Sequence, residues 1–555
     1  MKNLTRANKY WIGLGAWSGL LLFIAYGASL RLPFMADDLF HLPFVDSHGV
    51  FDLWRTAAGL YYFRPVSFTL WKIMEPIFGY HNQVAQHGLN LLLHWGNSLM
   101  TAWLAGALWP RSGQFDWRRA YLASTLFLWY PFSYQAVPWI GALVHPLVTS
   151  FILASVAAYV RYQTTQRRRW VVVSLVIALL APFVHENGVL IGPLLVAVEL
   201  TWPRRSEPLW RRLLVCLLWF VPVLVWWLVS RDVPMSISEQ SLALRSIGTI
   251  LKNATYFAQG AGYPLTWGGN QISQAIGGND FAVAIGLSAV ALGGAALVQW
   301  RSHASRRSWL PWIWISASSL PAVLFLPFSY INIAPRMLML ASVGIAWLWT
   351  DVLVNILDWK YHAPRWRRLS YALVALLSVV VLLQNYLFIR DRMRLYEMGG
   401  KAISQVAEAA EESRAAGRTS IFINLPSWLA PAEPVYALGT EGILLLPAYT
   451  PLKNLPQVFT GHRASVGDMR FDTIQTEVPY YVGLREGASD WKTACNSDCR
   501  VFVTRYMTDT VEIQPVGEFA KSLDVPRPVA QFDQAVTLLS TDAQHIADGW
   551  QVDLI

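Results

Sequence analysis

A chain of 555 residues with 54% hydrophobic residues, only 14% charged residues and a mean hydropathy of +0.34 is too apolar for a soluble enzyme and reads as a polytopic membrane protein. The net charge of +9 is unevenly spread: residues 1–389 hold 29 Lys and Arg against 14 Asp and Glu, whereas residues 390–555 hold 15 against 21. The positive excess therefore belongs to membrane orientation, and nucleic acid is not an expected partner.

A hydrocarbon layer of about 30 Å needs roughly 20 apolar residues per helix. Runs of that kind predict about eleven spans, near 11–30, 84–110, 119–136, 142–160, 170–184, 188–202, 212–230, 281–300, 308–328, 337–357 and 369–389. The pair 170–184 and 188–202 is short and suits a tilted or re-entrant hairpin. The first run is long for a cleaved signal and reads as a retained span.

Alternate loops are basic, holding Arg118 and Arg119, Arg167 to Arg169, Arg204 and Arg205, Arg306 and Arg307, then Lys360 and Arg365. Basic residues beside spans stay cytoplasmic, so these loops and the N-terminus, with Lys2, Arg6 and Lys9, are expected inside. The intervening loops, with Asp37, Asp38, His185, Glu186 and the segment 231–279, are expected outside. An odd span number puts the tail from Arg390 outside as well.

The expected organisation is mainly α: a helical membrane domain, 1–389, followed by a small extracytoplasmic α/β domain, 390–555. In that tail Lys401 to Ala416 reads as an amphipathic helix ended by Gly417. Strand-like stretches follow at Thr419 to Leu425, Arg500 to Tyr506 and Gln531 to Leu539. Pro431, Pro434, Pro447, Pro451 and Pro456 mark turns. No internal repeat is visible. Cys216 lies in an apolar run and reads as packing, while Cys495 and Cys499 suit a local disulfide in an oxidising compartment.

The chemistry falls on the outward clusters. Adjacent carboxylates such as Asp37 and Asp38 repel unless a cation or a shared proton relieves them, so the pair suits a general base or a metal anchor. The plainer reading is that they cap the next helix. Glu186, between apolar runs, would cost about 2.5–3.5 kcal/mol against lipid, so a functional partner and a wet turn shared with His185 are equal readings. His94 lies on an apolar helix face, where a satisfied buried histidine is the plainer reading. The 28 Trp suit interfacial belts, with Trp54, Tyr61, Tyr62, Trp139 and Trp267 placed where a sugar could also stack.

Three stretches in order, Ala36-Asp37-Asp38, Tyr62-Phe63-Arg64-Pro65-Val66-Ser67 and His87-Gly88-Leu89-Asn90-Leu91-Leu92-Leu93-His94, resemble the opening of GT-C superfamily glycosyltransferases. The protein O-mannosyltransferase-like branch, with the transmembrane, tetratricopeptide-repeat mannosyltransferases, is the nearest likeness. Tyr130-Pro131 through Ala136-Val137-Pro138-Trp139-Ile140 resembles the stretch between the family's third and fourth spans. Val184-His185-Glu186-Asn187-Gly188 resembles its Lys-Glu turn with His in place of Lys. Pro335-Arg336-Met337-Leu338-Met339-Leu340-Ala341-Ser342 keeps the Arg and Ser of a further segment but not its Glu, Tyr and Pro. The likeness covers about residues 30–395, and the tail lacks tetratricopeptide repeats.

The resemblance implies an inverting transfer of a sugar from a polyprenyl-phosphate carrier to an extracytoplasmic acceptor, whether protein, lipid or envelope glycan. It implies Asp37 or Asp38 as base, and Arg64 and Arg336 as phosphate clamps, a guanidinium being suited to bind phosphate oxygens in a fork. Glu186, His185 and His94 follow as further substrate-binding candidates. A Mg²⁺ or Mn²⁺ ion on Asp37, Asp38 and Glu186 is compatible with hard carboxylate oxygens, and Arg64 with Arg336 is the alternative source of positive charge. The competing readings are a GT-C polymerase or ligase using a lipid-diphosphate-linked glycan, a transporter or flippase, and a scaffold anchored by its spans.

Overall fold

The computed structural model describes residues 6–554 except 80, 202–207, 236–242, 303–304, 359–363, 472–477, 489–493, 496–497, 520–529, 533–535, 539–540 and 547–548. Lys2, Arg204, Arg205 and Lys360, on which part of the expected orientation rests, lie outside the described residues. The protein is mostly helical and polytopic. Among the described residues six helices are long and apolar enough to cross a membrane: Ala7–Arg31, Ile140–Thr165, Leu209–Ser230, Asp280–Arg301, Arg306–Phe325 and Tyr371–Ala415. Arg169–Phe183 and Ala341–Leu357 are shorter apolar helices.

The remaining expected spans take other forms. The run 119–136 is interrupted: helix Trp117–Leu128, started by the Asp116 carboxylate on the Arg118 and Arg119 amides, gives way to 3-10 turns at Pro131–Tyr134 and Ile140–Leu143. Pro131 and Pro138 lack the amide a continuing helix needs. The run 188–202 starts as a 3-10 turn, Glu186–Leu190, and becomes an 11-residue helix, Ile191–Thr201. The last expected span and the amphipathic helix at 401–416 are one 52-residue helix, Pro364–Ala415, since no proline or cap separates them. Within it Gly399 admits Leu445, whose side chain would lie 2.5 Å from a Cβ at that position.

Helix Gln83–Leu108 explains how broken backbone is accommodated. Asn82 caps it, accepting from the Ala85 amide at 3.0 Å. Gln86, His87, Asn90, His94, Asn97, Ser98 and Thr101 recur every three or four residues, and all are buried. His87, Asn90 and His94 meet carbonyls of turns and helix ends, and Asn97 meets one in helix Val144–Thr165. His87 Nε2 lies 2.9 Å from Leu32 O, and Asn90 Nδ2 donates to Val137 O and Trp139 O at 3.3 and 2.9 Å. His94 Nε2 lies 3.3 Å from Leu128 O, and Asn97 Nδ2 donates to Pro146 O at 2.8 Å. A buried polar group left unsatisfied costs about 1–3 kcal/mol. Irregular backbone at membrane depth persists only where protein supplies such partners.

Two compact units are present. One comprises residues 1–32, 44–395 and 431–443, and the other residues 33–43, 396–430 and 444–555. Each thus contains a short segment remote in sequence from the rest. In the first unit, segment 431–443 is held by Gln259, which donates to Leu438 O at 2.8 Å and accepts from Leu438 N at 2.9 Å. Glu441 in that segment pairs with Arg392 and accepts from the Val435 and Tyr436 amides at 2.8 and 2.7 Å. Pro431 and Pro434, expected as turns of a tail domain, belong to this segment.

In the second unit a four-stranded sheet is built on β1, Thr419–Ile423, which pairs in parallel with β2, Val466–Met469, and β3, Cys499–Tyr506. Strand β4, Val511–Phe519, adds antiparallel to β3, with an irregularity between Val501 and Phe502. Ile421, Met469 and Val501 form the core on one side, and Phe422 stacks on Phe502 at 5.1 Å. The expected single strand at 531–539 is two short strands, Ala530–Phe532 and Val536–Leu538, paired antiparallel. Cys495 and Cys499 are disulfide-bonded, and Cys216 is buried.

Candidate functional site

Four of the charged or titratable residues singled out from the sequence gather in the first unit. Arg64 precedes helix Pro65–Phe78, where Pro65 supplies a preset first-turn dihedral. The Ser67 hydroxyl donates to Val184 O at 3.3 Å, and Phe183 packs against Trp54 and Phe63 at 5.6 and 6.2 Å. The start of that helix is thereby pinned to the His185-Glu186 turn. Arg64 Nε and Nη2 donate to the two Glu186 oxygens at 3.3 and 2.8 Å, and the guanidinium lies 4.2 Å from the centre of the Tyr62 ring. Gly188 makes the turn tight enough: a Cβ there would sit 2.2 Å from the Ala181 backbone.

Electrostatics fix the charge states. Burial alone would raise the Glu186 carboxyl, but Arg64 outweighs it and holds the group at about 2. Burial would likewise weaken protonation of Arg64, and Glu186 reverses this so that its affinity for the proton rises. His185 is pushed down to about 3, first by burial and then by Arg64, with Glu186 opposing and Arg336 adding to the fall. Its Nδ1 accepts the Asn187 amide at 3.1 Å, so the neutral ring carries its proton on Nε2. The 3.4 Å approach of Nδ1 to Glu186 is therefore no ion pair. The ring of His145 packs 5.0 Å from that of His185.

Arg336 follows Pro335 in a 3-10 turn and is 7% exposed. Its Nη1 donates to Gln135 Oε1 at 2.9 Å and its Nη2 to Tyr330 Oη at 3.0 Å, with the Trp139 ring 4.9 Å away. Gln135 donates its amide to Ile333 O and Gly442 O, both at 3.0 Å, which forces its oxygen toward Arg336. Both guanidiniums act on His185, and Tyr330, bound to Arg336, also acts on Arg64. With His185 neutral, Arg64, Arg336 and Glu186 together leave one net positive charge. His94 stands with the buried stripe of helix Gln83–Leu108, between Tyr26 and Phe127 at 5.7 and 5.0 Å.

Asp37 and Asp38 belong to the second unit. Ala36 before them has φ of +48°, a strained value for a residue with a side chain, and its amide and carbonyl are held by Leu445 O at 2.7 Å and the Thr450 hydroxyl at 3.5 Å. Helix Asp38–Asp46 then begins. The buried Asp38 accepts the Met35 amide on Oδ2 at 2.9 Å, and Asp37, half-buried, accepts the Tyr449 hydroxyl on Oδ1 at 2.8 Å. Asn454 donates to Leu39 O at 2.9 Å and secures the same segment.

For a divalent cation the donor set is Asp37, Asp38 and Glu186. Both Glu186 oxygens are engaged by Arg64, and among the described residues no three His, Cys, Asp or Glu side chains are grouped to hold a metal ion. Gln135, Tyr330 and Tyr449 were not singled out from the sequence. Gln135 lies in the stretch 130–140 quoted for its resemblance, and its amide between apolar neighbours was the available signal. Tyr449, among the prolines of the tail, offered none.

No protein-family model matches the chain, and neither does any curated protein. Among solved structures the chain is similar to the arabinofuranosyltransferase AftD from Mycobacteria, with 16% identity, a TM-score of 0.42 and coverage of 78% of this chain and 31% of that one. The chain thus spans less than a third of that protein's length.

Proposed function

We propose that this protein is a GT-C-type membrane glycosyltransferase, in the O-mannosyltransferase-like manner, moving a sugar from a polyprenyl-phosphate carrier to an acceptor outside the cytoplasm. The observation that carries the reading is the pair of guanidiniums, Arg64 on Glu186 and Arg336 on Gln135 and Tyr330, both acting on the neutral His185. Two guanidiniums directed to one neighbourhood suit an arriving phosphate. The spans accommodate a lipid carrier, and the N-terminus is assigned to the cytoplasmic side with the tail opposite.

In the proposed step an acceptor hydroxyl attacks the anomeric carbon and gives its proton to Asp37 or Asp38. The bond from that carbon to the phosphate oxygen breaks with its electron pair going to the phosphate, and the configuration inverts. The leaving lipid phosphate needs positive charge rather than a proton, which is the role assigned to Arg64 and Arg336. Glu186 and His185 position Arg64, and no step is routed through a metal.

The test is transfer from radiolabelled polyprenyl-phosphate sugars by the full chain in nanodiscs. Wild-type transfer, lost in Arg64→Ala, Arg336→Ala and at least one of Asp37→Ala and Asp38→Ala with folding retained, supports the roles. Full transfer by both Asp variants removes the base. Transfer from diphosphate carriers alone moves the protein to the polymerase or ligase class. Carrier movement across the bilayer without transfer makes it a flippase.

A further inference from the structure

A cavity of the first unit, at the Asp280 end of helix Asp280–Arg301, holds about 680 Å³. That lies within the roughly 300–1,000 Å³ typical of small-molecule sites. Its walls carry Asn279, Asp280, Phe281, Phe328, Asn332 and Tyr436, with backbone of 277–278 and 437–439 completing them. The glycines are required there: Gly277 and Gly439 have φ of +58° and +114°, and a Cβ on Gly277 would meet open space.

The chemistry of the walls selects the ligand. No Lys or Arg lines the cavity among the described residues, and Asp280 contributes a carboxylate, so a phosphate or another anion is disfavoured. Amides, carbonyls and that carboxylate would be stripped of water by a lipid chain without compensation. Phe281 and Phe328 have ring centres 5.3 Å apart and planes inclined by 51°; Lys252 lies over the Phe281 ring, and Phe328 offers an apolar face beside these polar groups. Tyr436, which packs on Phe132, Trp267 and Phe388, adds a further ring to the wall. A neutral polyhydroxylated molecule, with C–H faces for the rings and hydroxyls for the amides, matches every wall.

We infer that this cavity binds a neutral glycan, which, resting on the transferase reading above, is the acceptor chain. The segment 431–443 supplies one wall, so its anchoring by Gln259 and Glu441 gives the cleft its shape.

The experiment uses the full chain in nanodiscs and saturation-transfer NMR with neutral mannan, arabinan, galactan and glucan trisaccharides, and with a sulfated trisaccharide as anionic counterpart. At least one neutral probe should bind, and bind better than the sulfated one. Asn332→Ala and Phe328→Ala should each weaken it at least tenfold without lowering the thermal midpoint, while Arg64→Ala should keep binding intact although it loses transfer. Should Phe328→Ala fail to fold, Asn332→Ala decides alone. No neutral binding, preference for the sulfated probe, or binding unchanged in the cleft variants overturns the inference. Glycan binding in a wild-type protein that transfers no sugar would leave the cleft standing and sink only the transferase reading.

Discussion

The arginine neighbourhood and the acidic pair were read from the sequence as parts of one site, yet they are held in different ways. Arg64 and Arg336 lie beside aromatic rings, with their guanidinium nitrogens donating to a carboxylate, an amide and a phenol. Asp38 is tied to its own turn and Asp37 to a single tyrosine hydroxyl from 412 residues away in sequence. Cations fixed by burial are prepared to receive a charge that arrives.

The largest effect that would break this contrast is on catalysis. Removing the base by Asp37→Ala or Asp38→Ala should lower transfer by about 10²- to 10⁴-fold, measured as kcat with a saturating donor. Arg336→Ala should cost about 10²- to 10³-fold, and Arg336→Lys should not restore it, because an ammonium cannot serve Gln135 and Tyr330 as a fork does. Tyr449→Phe should cost less than tenfold in kcat, since it loosens one carboxylate and removes none.

Effects on stability are smaller and sharpen the same distinction. Asn90→Ala orphans two carbonyls and should destabilise the first unit by about 2 kcal/mol in denaturant unfolding. His185 is held at about 3 in the fold against 6.5 in the open chain, so the unfolded state binds the extra proton. Stability is then complete above pH 6.5 and falls as the pH drops toward 3, and His185→Asn should flatten that slope. Glu186 acts in a lower window: its contribution is full above about 4.5 and is lost as the pH falls through about 2.

Legibility in the sequence followed the cost of a residue in an apolar chain. Glu186 stood out because charge near lipid is expensive, Arg64 and Arg336 through the family resemblance, and the structure gathers them with His185. Gln135 and Tyr330 carry no such penalty and passed unnoticed although they set the geometry of Arg336. The polar stripe of helix Gln83–Leu108 was visible only as His87, His94 and the Asn-x3-His pattern, because its partners are backbone carbonyls, which carry no side-chain signal. The unbroken helix Pro364–Ala415 was hidden by a change of composition near 389, where apolar residues stop but hydrogen bonding along the backbone does not.

The exchange of segments 33–43 and 431–443 has a consequence for synthesis. Ribosomes deliver the first 395 residues well before the strip that closes the glycine-edged cleft and receives Arg392, so the membrane portion stays unfinished until translation has passed Ile443. The stretch carrying the two aspartates waits longer, for Leu445, Tyr449 and Asn454 to emerge. A gene cut at the end of the last span would therefore yield two incomplete halves, the first without residues 431–443 and the second without residues 33–43.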